Sequence, residues 1–148
     1  MSWTPAPPMP DDYREAVHAY VLEVRRCLYL QHWAIRMPDE WADPPDDVIA
    51  QIDPCDGRYL ATLRFGTGFR GQSREAIRST IVHELLHLHH VRLTDIVRLG
   101  KYMNDLGQTT FDHMNDQMKR EAEYMIDALT TVVEEVVPLP PEWPEWKV

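Results

Sequence analysis

The stretch STIVHELLHLHHV, residues Ser79 to Val91, has the apolar density of a buried helix, yet four of its thirteen residues are histidine and one is glutamate. At 100° per residue His83, His87 and His90 fall within a sector of about 60°, flanked by Thr80, with Glu84 about 100° from His83. His89 points elsewhere. Ile77, Ile81, Val82, Leu85, Leu86, Leu88, Leu93 and Val97 occupy most of the remaining circumference, so the helix is expected to be buried nearly all round. The imidazoles must then face a cleft or a ligand, because in a dry core they would leave donors and acceptors unmet.

Neutral imidazole is a good metal ligand. Two histidines at i and i+4 can direct ring nitrogens at one ion about 2.0 to 2.1 Å away. That suits His83 and His87, and Glu84, at the edge of the same face, can reach a water on that ion without binding the metal. The motif is His83-Glu84-Leu85-Leu86-His87, HExxH.

Outward from this helix the chain reads as α, three β, α, α. DDYREAVHAYVLEVRRCLYLQ, from Asp11, places Val17, Tyr20, Val21, Val24 and Leu28 on one helical face behind an Asp11/Asp12 cap. Three extended segments are expected at His32 to Met37, Val48 to Ile52 and Arg58 to Phe65, the last two joined as a hairpin by the turn DPCDG. The histidine helix should run from Ser73 towards Leu99, with Gly100 as its stop, and a second long helix from about Asp112 to Val137, ended by Pro138. Gly66-Thr-Gly68-Phe-Arg-Gly71 spells GxGxxG, but no second parallel strand follows its helix. It reads as a flexible loop rather than a dinucleotide site.

One domain, residues 11–137, lies between a Pro-rich N-terminal tail (1–10) and a Pro/Trp-rich C-terminal tail (138–148). Trp143 and Trp146 suit docking onto a partner or onto the protein's own surface. The net charge of -9, from 24 acidic and 15 basic residues, disfavours nucleic acid and anionic membrane as partners. No secretory or spanning segment is visible, and the two cysteines, Cys27 and Cys55, lack metal-site spacing, so both read as free thiols in a cytoplasmic protein.

VHELLHLHH resembles the active-site helix of the zincin metallopeptidases, and the chain is similar to small zincin-like proteins of bacteria and tailed phages. The resemblance spans the third strand to the last helix. It implies an α+β, minimal zincin-like fold: an N-terminal helix, a small three-stranded sheet, the active-site helix and a second long helix. It also implies Zn2+ held by His83 and His87, and a peptide or protein substrate hydrolysed by a metal-activated water with Glu84 as general base. The metzincin continuation is missing, since Val91-Arg92-Leu93 follow His90 without the glycine turn.

The gluzincin pattern, a glutamate on a following helix with an aspartate four residues on, is met by Glu123 and Asp127. The resemblance thus makes Glu123 the third ligand and Asp127 the acceptor of the His83 Nδ1 hydrogen bond. Helical geometry alone favours Glu121, because the apolar stripe Met118, Ala122, Met125, Leu129, Val136 points about 120° from Glu123. Lys119, four residues away, could instead pair with an exposed Glu123. His113 and His90 also remain open as ligands, and Tyr124, Tyr102 and His113 as oxyanion donors. Zincin-like binding would lay an extended peptide antiparallel to the Arg58 to Phe65 strand, with Gly66, Gly68 and Gly71 giving a mobile rim. The alternative is a non-catalytic zinc-stabilised interaction or virion-associated protein, in which Glu84 would have no task.

Overall fold

The computed structural model describes residues 9–42, 47–102 and 107–144, with side chains over those ranges except 97–102. Three helices and a small mixed sheet form an α+β fold in the order α1 (Asp11–Cys27), β1 (Ala34–Arg36), β2 (Ala50–Pro54), β3 (Leu60–Phe65), α2 (Arg74–Tyr102) and α3 (Gln108–Val133). The sheet order is β1-β3-β2. β2 and β3 make the expected antiparallel hairpin, with Ile52 opposite Leu63, and β1 runs parallel to β3.

Helix α1 buries Tyr13, Val17, Tyr20, Val21 and Val24, the face given by its apolar spacing. Its N-cap is Pro10 rather than an aspartate. Asp11 and Asp12 occupy the first turn instead, where the helix dipole favours negative charge, and Asp12 Oδ1 accepts the Tyr13 N–H at 2.8 Å. At the other end Tyr29 N–H donates to Arg26 and Leu30 N–H to Arg25. This is a Schellman closure with Tyr29 at φ 56° in the position glycine usually takes. Leu30, 1% exposed, is the buried anchor that holds it.

Ala61, Leu63 and Phe65 on β3, with Ile35 on β1 and Ile52 on β2, meet Ile77, Ile81, Val82, Leu85, Leu86 and Leu88 of α2 in one core. The expected burial of α2 all round holds only as far as Leu88, since Leu93 is 55% exposed and Val97 lies outside the described side chains. Nor does Gly100 stop the helix, whose backbone continues to Tyr102. A glycine inside a helix costs only about 1 kcal/mol, which the surrounding turns absorb.

Helix α3 begins at Gln108, earlier than Asp112, because Phe111 is buried and anchors a first turn that Thr109 and Thr110 disguise in the sequence. It gives way to a 3-10 turn at Glu134–Val136, and Val137 is extended (φ -91°, ψ 129°) as the residue before Pro138 must be. The chain then packs back on the protein. Tyr20 Oη donates to Pro138 O at 2.7 Å, Arg74 Nε donates to Pro140 O at 2.7 Å, and Trp143 sits edge-on to Tyr13 and Tyr20. Trp146 lies outside the described residues. The GxGxxG segment is a 3-10 turn, Thr67–Phe69, pinned by the fully buried Phe69.

Candidate metal centre

His83 and His87 stand one turn apart on α2, facing Glu123 and Asp127, one turn apart on α3. As the number rises on α2 the partner's number falls on α3, so the two helices run antiparallel. His83 Nε2 lies 3.3 Å from His87 Nε2 and 3.5 Å from Glu123 Oε2, while His87 Nε2 lies 3.2 Å from Glu123 Oε1. Ligand atoms 2.0 to 2.1 Å from a tetrahedral ion sit about 3.3 to 3.4 Å from each other. The two nitrogens stand at that length, and each faces a different oxygen of the one Glu123 carboxylate at close to it, so two imidazoles and a carboxylate are gathered where they could hold zinc with a coordination position left over.

His83, His87 and Glu123 are the only cluster of metal-holding geometry among the described residues. Glu121 and His113 are exposed and outside it, and His90 lines the adjoining cavity without joining it. The core face that the helical wheel assigned to α3 is thereby corrected. The wheel took the stripe of Met118, Ala122, Met125, Leu129 and Val136 for the core face, whereas α3 buries Phe111, Ile126 and Thr130 and leaves Met125, Leu129 and Val136 exposed. The Glu123 oxygens lie against the two imidazoles rather than against Lys119, the alternative partner.

Asp127 Oδ1 lies 3.2 Å from His83 Nδ1. An N–H on Nδ1 donated to this carboxylate leaves the Nε2 lone pair free for a cation and holds the ring in that tautomer. Burial holds the His87 pKa below the ordinary imidazole value, partly opposed by the carboxylate of Glu123, so this ring is neutral over a wider pH range.

Glu84 is the most buried of these groups, its side chain 13% exposed. Its Oε2 accepts the backbone N–H of Ile52 at 2.9 Å, and its Oε1 lies 4.0 Å from His83 Nε2. Desolvation raises its pKa to about 7 against the opposing pull of the Ile52 N–H, with the charges of Glu123 and Asp53 adding to the rise. A carboxyl group poised near neutrality, with an oxygen 4.0 Å from His83 Nε2, could serve as a general acid–base.

The Ile52 contact was not foreseen, and it fixes which strand borders the site. Ile49 O and Cys55 N bond across the hairpin to Gly66 N and Leu60 O, so odd-numbered residues of β2 face β3 and the backbone groups of Ala50 and Ile52 face the open edge. The strand expected to receive a peptide, Arg58 to Phe65, contains β3, which is central and has no free edge; β2 is the edge beside the site. Two cavities flank it, both lined by Val48, Ala50, His83 and Glu84. One, of about 510 Å³, continues past the hydroxyls of Ser79, Thr80 and Thr130. The other, of about 570 Å³, continues past His87, His90 and Lys119. Neither Tyr124 nor His113 lines either cavity, and the Tyr102 side chain lies outside the described ones. A larger cleft, about 680 Å³, lies away from this centre by Arg14, Arg36 and Arg64, where Arg14 pairs with Asp39 and Arg64 with Asp53.

Compared with protein-family profiles, with characterised proteins and with solved structures, the chain matches none of them. Among the described residues no helix is long and apolar enough to cross a membrane.

Proposed function

We propose that this protein is a metal-dependent hydrolase, its ion held by His83, His87 and Glu123. More particularly, we infer a zinc peptidase of the gluzincin type that hydrolyses peptide bonds in the cytoplasm. The observation that carries the reading is the approach of His83 Nε2 and His87 Nε2 to each other, 3.3 Å, and to the two oxygens of the Glu123 carboxylate, 3.5 and 3.2 Å, with Glu84 beside them. When bound, zinc would supply Lewis acidity, making water acidic enough to ionise near neutral pH and stabilising charge on a carbonyl oxygen.

The protein's own groups would do the rest. Glu84 Oε1 accepts the proton of the attacking water while Oε2 stays tethered to Ile52 N–H, and the same carboxyl then returns the proton to the leaving amine. Asp127 keeps His83 in the tautomer that offers Nε2. Among the described residues no strand pairs with the outer edge of β2, so beside the Ile52 N–H held by Glu84 it could offer the Ala50 N–H and the Ala50 and Ile52 carbonyls to an extended chain, which supports a peptide substrate over a compact small molecule. Cavities on both sides of His83 and Glu84 leave room for residues on either side of the bond cleaved.

The test is metal content by mass spectrometry, followed by hydrolysis of unstructured proteins by the zinc-loaded chain. About one zinc per chain is expected, lost in Glu123→Ala and kept in Glu121→Ala. Glu84→Gln should keep the zinc and lose on the order of 10²- to 10⁴-fold in rate. Full activity in Glu84→Gln would refute the mechanism. Zinc that is bound tightly with no hydrolysis of any substrate would favour the non-catalytic staple.

A further inference from the structure

Helix α3 carries an apolar face that the other described residues leave open. Met114, Met118, Met125, Leu129 and Val132 lie within a sector of about 60° at 100° per residue, and Val136 extends the line into the 3-10 turn. Apart from the half-buried Met118, these residues are exposed, from 39% at Leu129 to 80% at Val136, and Tyr124 on the flank is 65% exposed. A stripe of this length is unusual on the water-facing side of a monomer's helix, which is normally polar.

The spacing of the stripe identifies what would cover it. With Glu121 included, its positions are 114, 118, 121, 125, 129, 132 and 136, steps of 4, 3, 4, 4, 3 and 4, which read the same from either end. A second copy of α3 laid antiparallel about Met125 therefore sets every stripe residue against another: Met114 on Val136, Met118 on Val132, Glu121 on Leu129, and Met125 on itself. We propose that the protein forms a two-fold symmetric dimer through antiparallel pairing of this face of α3.

Area, charge and position agree with that occupant. The exposed stripe and Tyr124 together present on the order of 700 Å² per chain, near the about 800 Å² per partner of a standard interface. Only Glu121 puts a charge in the seam. Its methylenes can lie on the partner's Leu129 with the carboxylate turned out to water. Antiparallel pairing sets each Glu121 on the partner's Leu129, whereas in-register parallel pairing would stack the two Glu121 carboxylates on each other. Asp112 and Asp116 lie on the opposite side of the helix, clear of the seam. Glu123 and Asp127 face α2 from that side too, so the dimer leaves the candidate metal centre open and the inference is independent of it.

Sedimentation equilibrium of the full chain tests the proposal. The expected mass at micromolar concentration is twice the 17.3 kDa of one chain. Met125→Glu places two carboxylates across the two-fold axis and should return the mass to that of one chain, with circular dichroism unchanged because Met125 is exposed on the single chain. Register is read by oxidative cross-linking in a Cys55→Ser background. Met125→Cys should link, Val132→Cys alone should not, and Met118→Cys with Val132→Cys should link. A monomer at all concentrations, a dimer whose mass Met125→Glu leaves unchanged, or Val132→Cys linking as readily as Met125→Cys would each overturn it.

Discussion

In protein stripped of metal by a chelator, Glu84→Gln is expected to stabilise the fold near pH 8 and to leave it almost unchanged near pH 4. Glu84 is enclosed between α2 and β2, and its pKa stands at about 7 against an ordinary 4.5, chiefly from desolvation. A carboxyl group whose pKa is raised on folding binds more protons in the native state across that interval. Stability therefore falls as pH rises from about 4.5 to about 7, and the whole loss is present above 7. At 1.36 kcal/mol per pH unit the loss is roughly 3 kcal/mol. Glutamine keeps a carbonyl oxygen for the Ile52 N–H and cannot ionise, so the variant escapes this loss. The assay is urea unfolding of both proteins at the two pH values, in which the changes at titrating groups remote from Glu84 cancel between them. The gain near pH 8 corresponds to a melting shift on the order of 10 °C for a chain of this size. A difference between variant and parent that is the same at both pH values would refute the reasoning, because it would mean that Glu84 ionises in the fold as freely as in the open chain.

Asp127→Ala should weaken zinc binding by about 10- to 100-fold, since His83 loses the acceptor that holds its Nδ1 hydrogen, and Asp127→Asn should cost less because its amide oxygen still accepts. Competition with a chelating dye measures both. Tyr29→Gly should raise stability by about 1 kcal/mol by relieving a left-handed backbone at an exposed position, while Tyr29→Ala, which keeps its Cβ, should not. Thermal melts of the two variants compare them directly.

The elements that a single period describes were legible in the sequence. Val17, Tyr20, Val21 and Val24 are buried on α1 as their spacing requires, and HExxH sets His83 and His87 on one face of a helix whose other positions, Ile81, Val82 and Leu85, are core. Strand order was not legible. Leu60-Ala61-Thr62-Leu63 has no clear alternation because β3 is covered on both sides, Thr62 being 8% exposed like its apolar neighbours, and three short strands carry little information about which is central. The edge role passed to the wrong strand for that reason. The Ile52 N–H of β2 then took the place beside Glu84.

The placement of Glu123 shows a different limit. Hydrophobicity ranks the faces of α3 by apolar content, and by that measure Met114, Met125, Leu129 and Val132 outweigh Phe111, Ile126 and Thr130. Yet the chain buries the second set, because the face towards α2 must also carry Glu123 and Asp127 to meet two imidazoles. A helix that supplies two carboxylates to a neighbour's histidines gives up apolar positions on its inner side. If such a helix also bears a strong apolar stripe, the stripe lies outside, and a wheel that assumes one buried face turns the helix the wrong way round. The position of Glu123 opposite His83 and His87 and the exposure of Met125 and Val132 are thus two consequences of one rotation of α3. An apolar face left over after the inner one has been given to polar groups is stabilised only by burial against something outside the chain, and the symmetric spacing about Met125 makes a second copy of α3 the partner it fits.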